Sequence, residues 1–336
     1  MPDGRWGAAG SDGAPDSLDR VTTLAGVPHT AATVDVDGPV HYVDYGGPVD
    51  APLIVAVHGL GGSHLNWAAV APHLIGHSRL VALDLLGHGR TPAAGRRPDV
   101  AGHVDMVTGF VDRVSDRPVL LMGNSLGGLV AALAASSAPD RVAGLVLVDP
   151  ALPTERLGLV HPRVVVNFMV CSVPGVGERF LTTRRNRTTA ERTVHRVLAA
   201  TCVDPSRVPV DVVEAHIALT AEVDRTEADR AYLASARSLA RVMARSGSTV
   251  ARIDALEVPV LHLHGARDLL VPLGAARRMA EGRADWQLEV ARDIGHAPML
   301  ETPVWTGLRI AEWRAGAGAA AFARAGGSNA PAPAVS

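Results

Sequence analysis

From residue 40 onward, short apolar runs alternate with amphipathic stretches. The runs at 40–45, 53–57, 80–83, 119–122, 145–148, 260–263 and 288–290 have strand length. Most are continuously apolar, as strands buried on both faces of a central sheet should be. Between them, 66–75, 100–114, 126–138, 274–281 and 305–314 carry helical periodicity. Alternating β and α segments with short loops predict an α/β sandwich built on a mostly parallel sheet. The alternation stops between 151 and 250, where helical patterns continue without a convincing strand. This predicts a helical insertion between two strands of one sheet. The ends, 1–28 and 317–336, are rich in Gly, Ala and polar residues and predict disordered tails. That leaves 29–150 and 251–316 as the core.

One stretch imitates a membrane span. Residues 118–139 carry no charge, which is long enough to cross a bilayer. Gly123, Asn124, Ser125, Gly127 and Gly128 interrupt it, however, and a buried strand running into a buried helix gives the same uncharged stretch. No integral membrane segment is therefore expected. The first 20 residues also lack the apolar region of a secretory signal.

The same stretch holds the clearest chemistry. The strand at 119–122 runs directly into Gly123-Asn124-Ser125-Leu126-Gly127-Gly128 and then a helix. This is Gly-x-Ser-x-Gly between strand and helix, where a sharp turn projects the central side chain. Glycines two residues either side suit the close approach of strand and helix backbones.

With these residues the chain resembles the α/β-hydrolase fold family, in its serine hydrolase branch with a helical cap. Three further motifs carry the resemblance. His58-Gly59-Leu60-Gly61 follows the strand at 53–57, like the family's oxyanion loop. His264-Gly265-Ala266-Arg267-Asp268 follows the strand at 260–263, where the family usually keeps its triad acid. Asp293-Ile294-Gly295-His296 follows the last strand, where the family places its catalytic histidine. The order Ser125, Asp268, His296 is the family's order. Asp84-Leu85-Leu86-Gly87-His88-Gly89 also looks like a family loop. The resemblance implies a three-layer α/β-hydrolase sandwich with residues 151–250 as an inserted helical cap. It implies Ser125 as nucleophile, His296 as base and Asp268 as the acid that orients it. The N–H groups of Leu60 and Leu126 would form the oxyanion hole. Asp149, closing the strand at 145–148, is an alternative acid, since some relatives use that position.

Other chemistries are narrowed by composition. The chain has 32 basic and 34 acidic residues, and every basic residue is Arg. Without lysine, no internal Schiff base or lysine-containing phosphate loop can form. Near-neutral charge speaks against nucleic acid as a partner. Two cysteines, Cys171 and Cys202, make no disulfide framework, and free thiols suggest a cytoplasmic setting. His262-x-His264 has metal-like spacing, but no supporting Cys or carboxylate, so neither metal nor cofactor is expected. The insertion holds 14 Arg against 10 acidic residues, a surplus of four over a main domain at −6. Its arginines at 179–196 predict a solvated helix face, with an anionic contact as the sharper reading. Its apolar stretch 164–176 could pack on the core or wall a site for an apolar acyl group.

The expected activity is hydrolysis of a carboxylic ester, through an acyl-enzyme, on a small-molecule ester or acyl substrate. Serine at the turn argues against the haloalkane dehalogenases and epoxide hydrolases, relatives that carry Asp there. A C–C hydrolase of the meta-cleavage type and a non-catalytic ligand-binding protein remain as alternatives. Substrate and oligomeric state are not encoded in any motif.

Overall fold

The computed structural model describes residues 22–153, 166 and 169–326. The strands are β1 (Thr22–Leu24), β2 (Val27–Asp35), β3 (Pro39–Asp44), β4 (Leu53–Val57), β5 (Arg79–Leu83), β6 (Val119–Asn124), β7 (Val142–Val148), β8 (Val260–Gly265) and β9 (Trp286–Ala291). They form one sheet in the order β1-β2-β3-β5-β4-β6-β7-β8-β9. β1 to β3 are antiparallel and β3 runs antiparallel to β5. From β5 to β9 every pairing is parallel.

Every residue of β4, β6, β7 and β8 is buried. Successive side chains point to opposite faces, so both faces must be covered. Val55, Val57 and Leu121 enter one core, with Val107 and Phe110 of α1 (Val100–Val114) and Leu129 of α2 (Leu126–Ser137). Ile54, Ala56, Leu120 and Met122 enter the other, with Trp67, Ile310 and Trp313. Helix–sheet–helix layering is thus a consequence of the apolar runs. The chain has the α/β-hydrolase fold.

Between β7 and β8 lie α3 (Val176–Asn186), α4 (Ala190–Thr201), α5 (Val210–Glu222), α6 (Arg225–Ala244) and α7 (Ser246–Asp254). After β8 come α8 (Leu273–Ala280), α9 (Pro298–Glu301), α10 (Pro303–Ala315) and α11 (Ala319–Gly326). No helix among the described residues is long and apolar enough to cross a membrane.

The structure departs from the sequence expectations in three places. Residues 22–28, expected in the N-terminal tail, form β1 and the start of β2. Ala25 and Gly26 both take positive φ (48° and 75°), the geometry of a tight two-residue hairpin turn. The expected helix at 66–75 is two 3-10 turns, His64–Trp67 and Ala71–His73, because Pro72 cannot donate to a continuous ladder. Residues 319–326, expected in the C-terminal tail, form α11. Ala321, Phe322 and Ala325 are buried there, and the Phe322 ring meets Trp313 edge-on at 5.6 Å.

The chain turns back on itself between β4 and β6. β5 lies on one side of β4 and β6 on the other. Such a switch opens a crevice at the carboxyl ends of adjacent strands. The loops after β4 and β6 meet there, and those after β7, β8 and β9 line the same edge.

If α11 is part of the core, Phe322→Ala should cost about 3–5 kcal/mol of unfolding free energy in urea titration. A residue in a disordered tail would cost nothing measurable.

Candidate active site

Ser125 sits between the last residue of β6 and the first of α2, at φ 55° and ψ −120°. A non-glycine residue held there is strained and persists only where surrounding packing enforces it. Here the enforcing contacts are visible. A Cβ on Gly123 would lie 2.3 Å from the Gly127 carbonyl oxygen, and one on Gly127 would lie 2.2 Å from the Val57 oxygen. Only glycines let β6, α2 and β4 approach so closely. The Ser125 N–H donates to Val148 O at 3.1 Å, and its carbonyl accepts from Ala151 N–H at 2.9 Å. The turn is therefore pinned to the end of β7. Ser125 itself is partly exposed.

The loop after β4 lies over this turn. A Cβ on Gly59 would be 3.0 Å from Asn124 Oδ1 and 3.1 Å from Ser125 Cβ. Leu60 follows directly. Leu126 is the first residue of α2, so its N–H precedes the intrahelical ladder. Neither N–H donates to a partner among the described residues. His58 braces the loop, donating from Nδ1 to Gly59 O (2.7 Å) and accepting the Leu85 N–H at Nε2 (3.0 Å). His88 donates to Leu86 O at 3.0 Å.

His296 and Asp268 are joined directly. The His296 Nδ1 donates to Asp268 Oδ2 at 2.7 Å, with the carboxylate fully buried. Asp268 Oδ1 accepts the N–H groups of Leu270 (2.7 Å) and Val271 (3.1 Å). Burial pushes this carboxyl up, but the His296 ring, the Leu270 amide and His264 together hold it below the ordinary range. The backbone around His296 is fixed as well. Its N–H donates to Thr201 O at 2.6 Å, and its carbonyl accepts from Asn124 Nδ2 at 3.1 Å. Among the described residues no hydrogen bond joins the Ser125 hydroxyl to His296. Asn124, beside Ser125, ties the two segments instead.

Asp149 closes β7 with φ 44°. It is fully buried and accepts the Gly265 N–H at 2.9 Å on Oδ1. Of the two acids, Asp268 is the one bonded to His296. His262 and His264, the pair with metal-like spacing, are both buried, with ring centroids 5.5 Å apart. His264 donates from Nε2 to Val271 O at 3.1 Å. Among the described residues neither ring nitrogen of His262 has a hydrogen-bond partner.

Sequence reasoning missed several supports. Glu301 of α9 is buried and accepts the N–H groups of Gly295 (2.9 Å) and Asp204 (2.8 Å). A lone acid in the apolar run Pro298–Glu301 was the available signal. Asp84 is a second buried hub. It accepts from His41 Nδ1 (2.9 Å), from the His64 N–H (2.7 Å) and from the Arg90 N–H (2.9 Å). His64 and His41 hold its carboxyl well below the usual range against the effect of burial. Tyr232 of α6 lies 3.3 Å from where a Cβ on Gly61 would be, and no motif marked it.

The insertion reaches this edge through Thr201 and Tyr232. A cavity of about 510 Å³, bounded by Thr201, Cys202, Ala266, Asp268 and Gly295, opens beside the acid. Ser125 does not line it. Of the apolar stretch at 164–176, Val164, Val165, Asn167 and Phe168 lie outside the described residues. Val166, Met169, Val173 and Val176 are exposed, while Cys171 packs with Leu181 and Leu233. Arg179, Arg187, Arg192 and Arg196 face solvent, and Arg185 pairs with Asp229 at 2.6 Å. Both cysteines are free and buried.

Comparison with known proteins agrees with this architecture. The family described as alpha/beta hydrolase fold matches residues 52–182. That match takes in β4 to β7 and the Ser125 turn, and the fold is the one the family has. It is similar to the lipase LipV of Mycobacterium tuberculosis, 36% identical over 38% of this chain and 46% of that protein. The chain thus spans less than half the length of that relative. A pimeloyl-[acyl-carrier protein] methyl ester esterase of Aromatoleum aromaticum is 28% identical over 76% of this chain and 95% of its own. Among solved structures, the haloalkane dehalogenase DbeA of Bradyrhizobium elkani superposes with a TM-score of 0.74 at 22% identity, over 87% of this chain and 99% of that one. At that identity the likeness speaks for the fold alone.

Several buried histidines give the molecule an acid-sensitive core. Burial pushes His58 and His262 down to about 3 and His216 to about 4. Each stays neutral in the folded protein and regains an ordinary pKa near 6.5 on unfolding. The unfolded chain therefore takes up protons first as pH falls. Stability should be fully present above about pH 6.5 and decline toward pH 3, by up to about 1.4 kcal/mol per pH unit for each histidine. Urea unfolding between pH 7 and 5 checks this, and His262→Phe should flatten the decline.

Proposed function

We propose that the protein is a serine hydrolase that cleaves carboxylic esters of apolar or medium-size acyl substrates without a cofactor. The reading rests above all on the 2.7 Å Asp268–His296 hydrogen bond at the same sheet edge as the strained Ser125 turn. Ser125 Oγ adds to the ester carbonyl while His296 Nε2 accepts its proton. The developing oxyanion is met by the N–H groups of Leu60 and Leu126, each worth about 3–4 kcal/mol in comparable sites. Collapse expels the alcohol, which takes the proton from His296 and leaves an acyl group on Ser125. Water, deprotonated by His296, then releases the acid and restores the serine. Asp268 keeps the proton of the imidazole on Nδ1 and stabilises the imidazolium. The open Ser125–His296 contact is compatible with this role, since catalytic hydrogen bonds often tighten only when substrate is bound.

Serine at the turn between β6 and α2 supports ester chemistry over dehalogenation. The family's haloalkane dehalogenases carry Asp there, and this chain has Ser125. Relatives named lipase and methyl ester esterase agree with that choice. Residues 151–250 act in this reading as a cap, with Tyr232 against the oxyanion loop and Thr201 against His296.

Turnover of p-nitrophenyl esters of graded chain length tests the proposal. Ser125→Ala should lower kcat by about 10⁶, and Asp268→Asn by about 10⁴ through the wrong tautomer of His296. Absence of turnover on every ester in the wild-type protein would leave the non-catalytic reading. Cleavage of a ring-fission dienoate with inert esters would favour C–C hydrolysis.

A further inference from the structure

Two carboxyl groups share one buried pocket behind His296, and the Ser–His–Asp reading uses only one of them. Carboxyl oxygens of Asp149 and Asp268 and the Nε2 of His264 all lie within 4.8 Å of one another. Both acid side chains are fully buried. Asp149 Oδ1 is occupied by the Gly265 N–H, whereas Oδ2 is buried and faces no donor.

Among the described residues no arginine balances a second charge here. Among the described residues Asp149 pairs with no arginine, and its nearest basic group is His264 Nε2 at 3.5 Å. That nitrogen already donates to Val271 O. The other ring nitrogen of His264 is buried without a partner, which a charged imidazolium could not tolerate cheaply. The buried Glu301 carboxyl acts on Asp149 in the same direction as Asp268 does. One imidazole, His296, can balance only one carboxylate, and like charges so close in a dry pocket do not both ionise.

We propose that Asp149 is a neutral carboxylic acid whose Oδ2–H donates to the Asp268 carboxylate, making it a positioning residue for the Asp268–His296 pair. The hydrogen bond spreads the charge of Asp268 and fixes its second oxygen partner, so that Oδ2 of Asp268 stays aimed at His296. Burial first, and then the proximity of Asp268, push the Asp149 carboxyl well above its ordinary range, in the same sense. The inference rests on the triad assignment above for its catalytic consequence, but the protonation of Asp149 does not.

Two measurements on the full-length protein separate these. Infrared spectroscopy at pH 7 should show the carbonyl band of a protonated carboxyl in the wild type, absent from Asp149→Asn. Lack of that band overturns the proposal whatever the activity. For ester hydrolysis, Asp149→Gly accommodates the positive φ and removes the carboxyl. It should lower kcat about 10-fold or more, the scale of a lost hydrogen bond to a charged group. It should also raise the acidic pKa of the kcat/KM profile, because an undonated Asp268 stabilises the imidazolium more. Asp149→Asn keeps a neutral donor and an acceptor for Gly265, and should recover most of the loss and the wild-type profile. If Asp149→Asn is instead as damaging as Asp268→Asn, Asp149 is an ionised acid and the proposal fails. A wild type that shows the band but hydrolyses no ester refutes the functional reading and leaves the neutral Asp149 standing.

Discussion

The close approach of α2 to the carboxyl ends of β4 and β6 governs the geometry of the whole site. Gly123 and Gly127 allow contacts that any Cβ would block at 2.2–2.3 Å, and the turn between them forces Ser125 to positive φ. Hydrogen bonds from Ser125 to Val148 and Ala151 carry that constraint into β7. Asn124 carries it on to the segment holding His296. The strain at one residue is thus distributed over β4, β6 and β7, each buried on both faces, and over the loop after β9. A core packed this way does not relax easily, and that is what keeps an unfavourable backbone conformation populated.

The same edge concentrates buried acids. Asp84, Asp149, Asp268 and Glu301 are all buried acids, and each is held by backbone N–H groups. They differ in what else faces them. Asp84 has two imidazoles and Asp268 has His296, so both are held below the usual range. Among the described residues Asp149 has another acid and a histidine whose Nε2 donor is already spent. Environment rather than residue type sets the opposite directions in which Asp84, Asp268 and Asp149 are pushed, and the chain needs no lysine for any of it.

Much of this was legible in the sequence because it followed from periodicity and spacing. Continuous apolar runs marked β4, β6, β7 and β8, and glycines at fixed offsets marked the Ser125 turn. Asp268 and His296 follow strands in an order that places them at one edge. Features set by tertiary contact were not legible. The Ala25-Gly26 hairpin turns back a strand of only three residues, Thr22–Leu24, too short a run to show an alternation. Helix α11 is Ala-rich and gains its stability from Phe322 on Trp313. Thr201 contributes a carbonyl, which no side-chain pattern encodes, and Tyr232 approaches Gly61 from more than 150 residues away in sequence.

In the proposed reaction Ser125 is a nucleophile driven by the Asp268–His296 pair. Intact-mass measurement after exposure to a fluorophosphonate, followed by peptide mapping, tests it most directly. One adduct per chain is expected, located on Ser125 and lost in His296→Ala. An unmodified chain, or an adduct on any other residue, would contradict it.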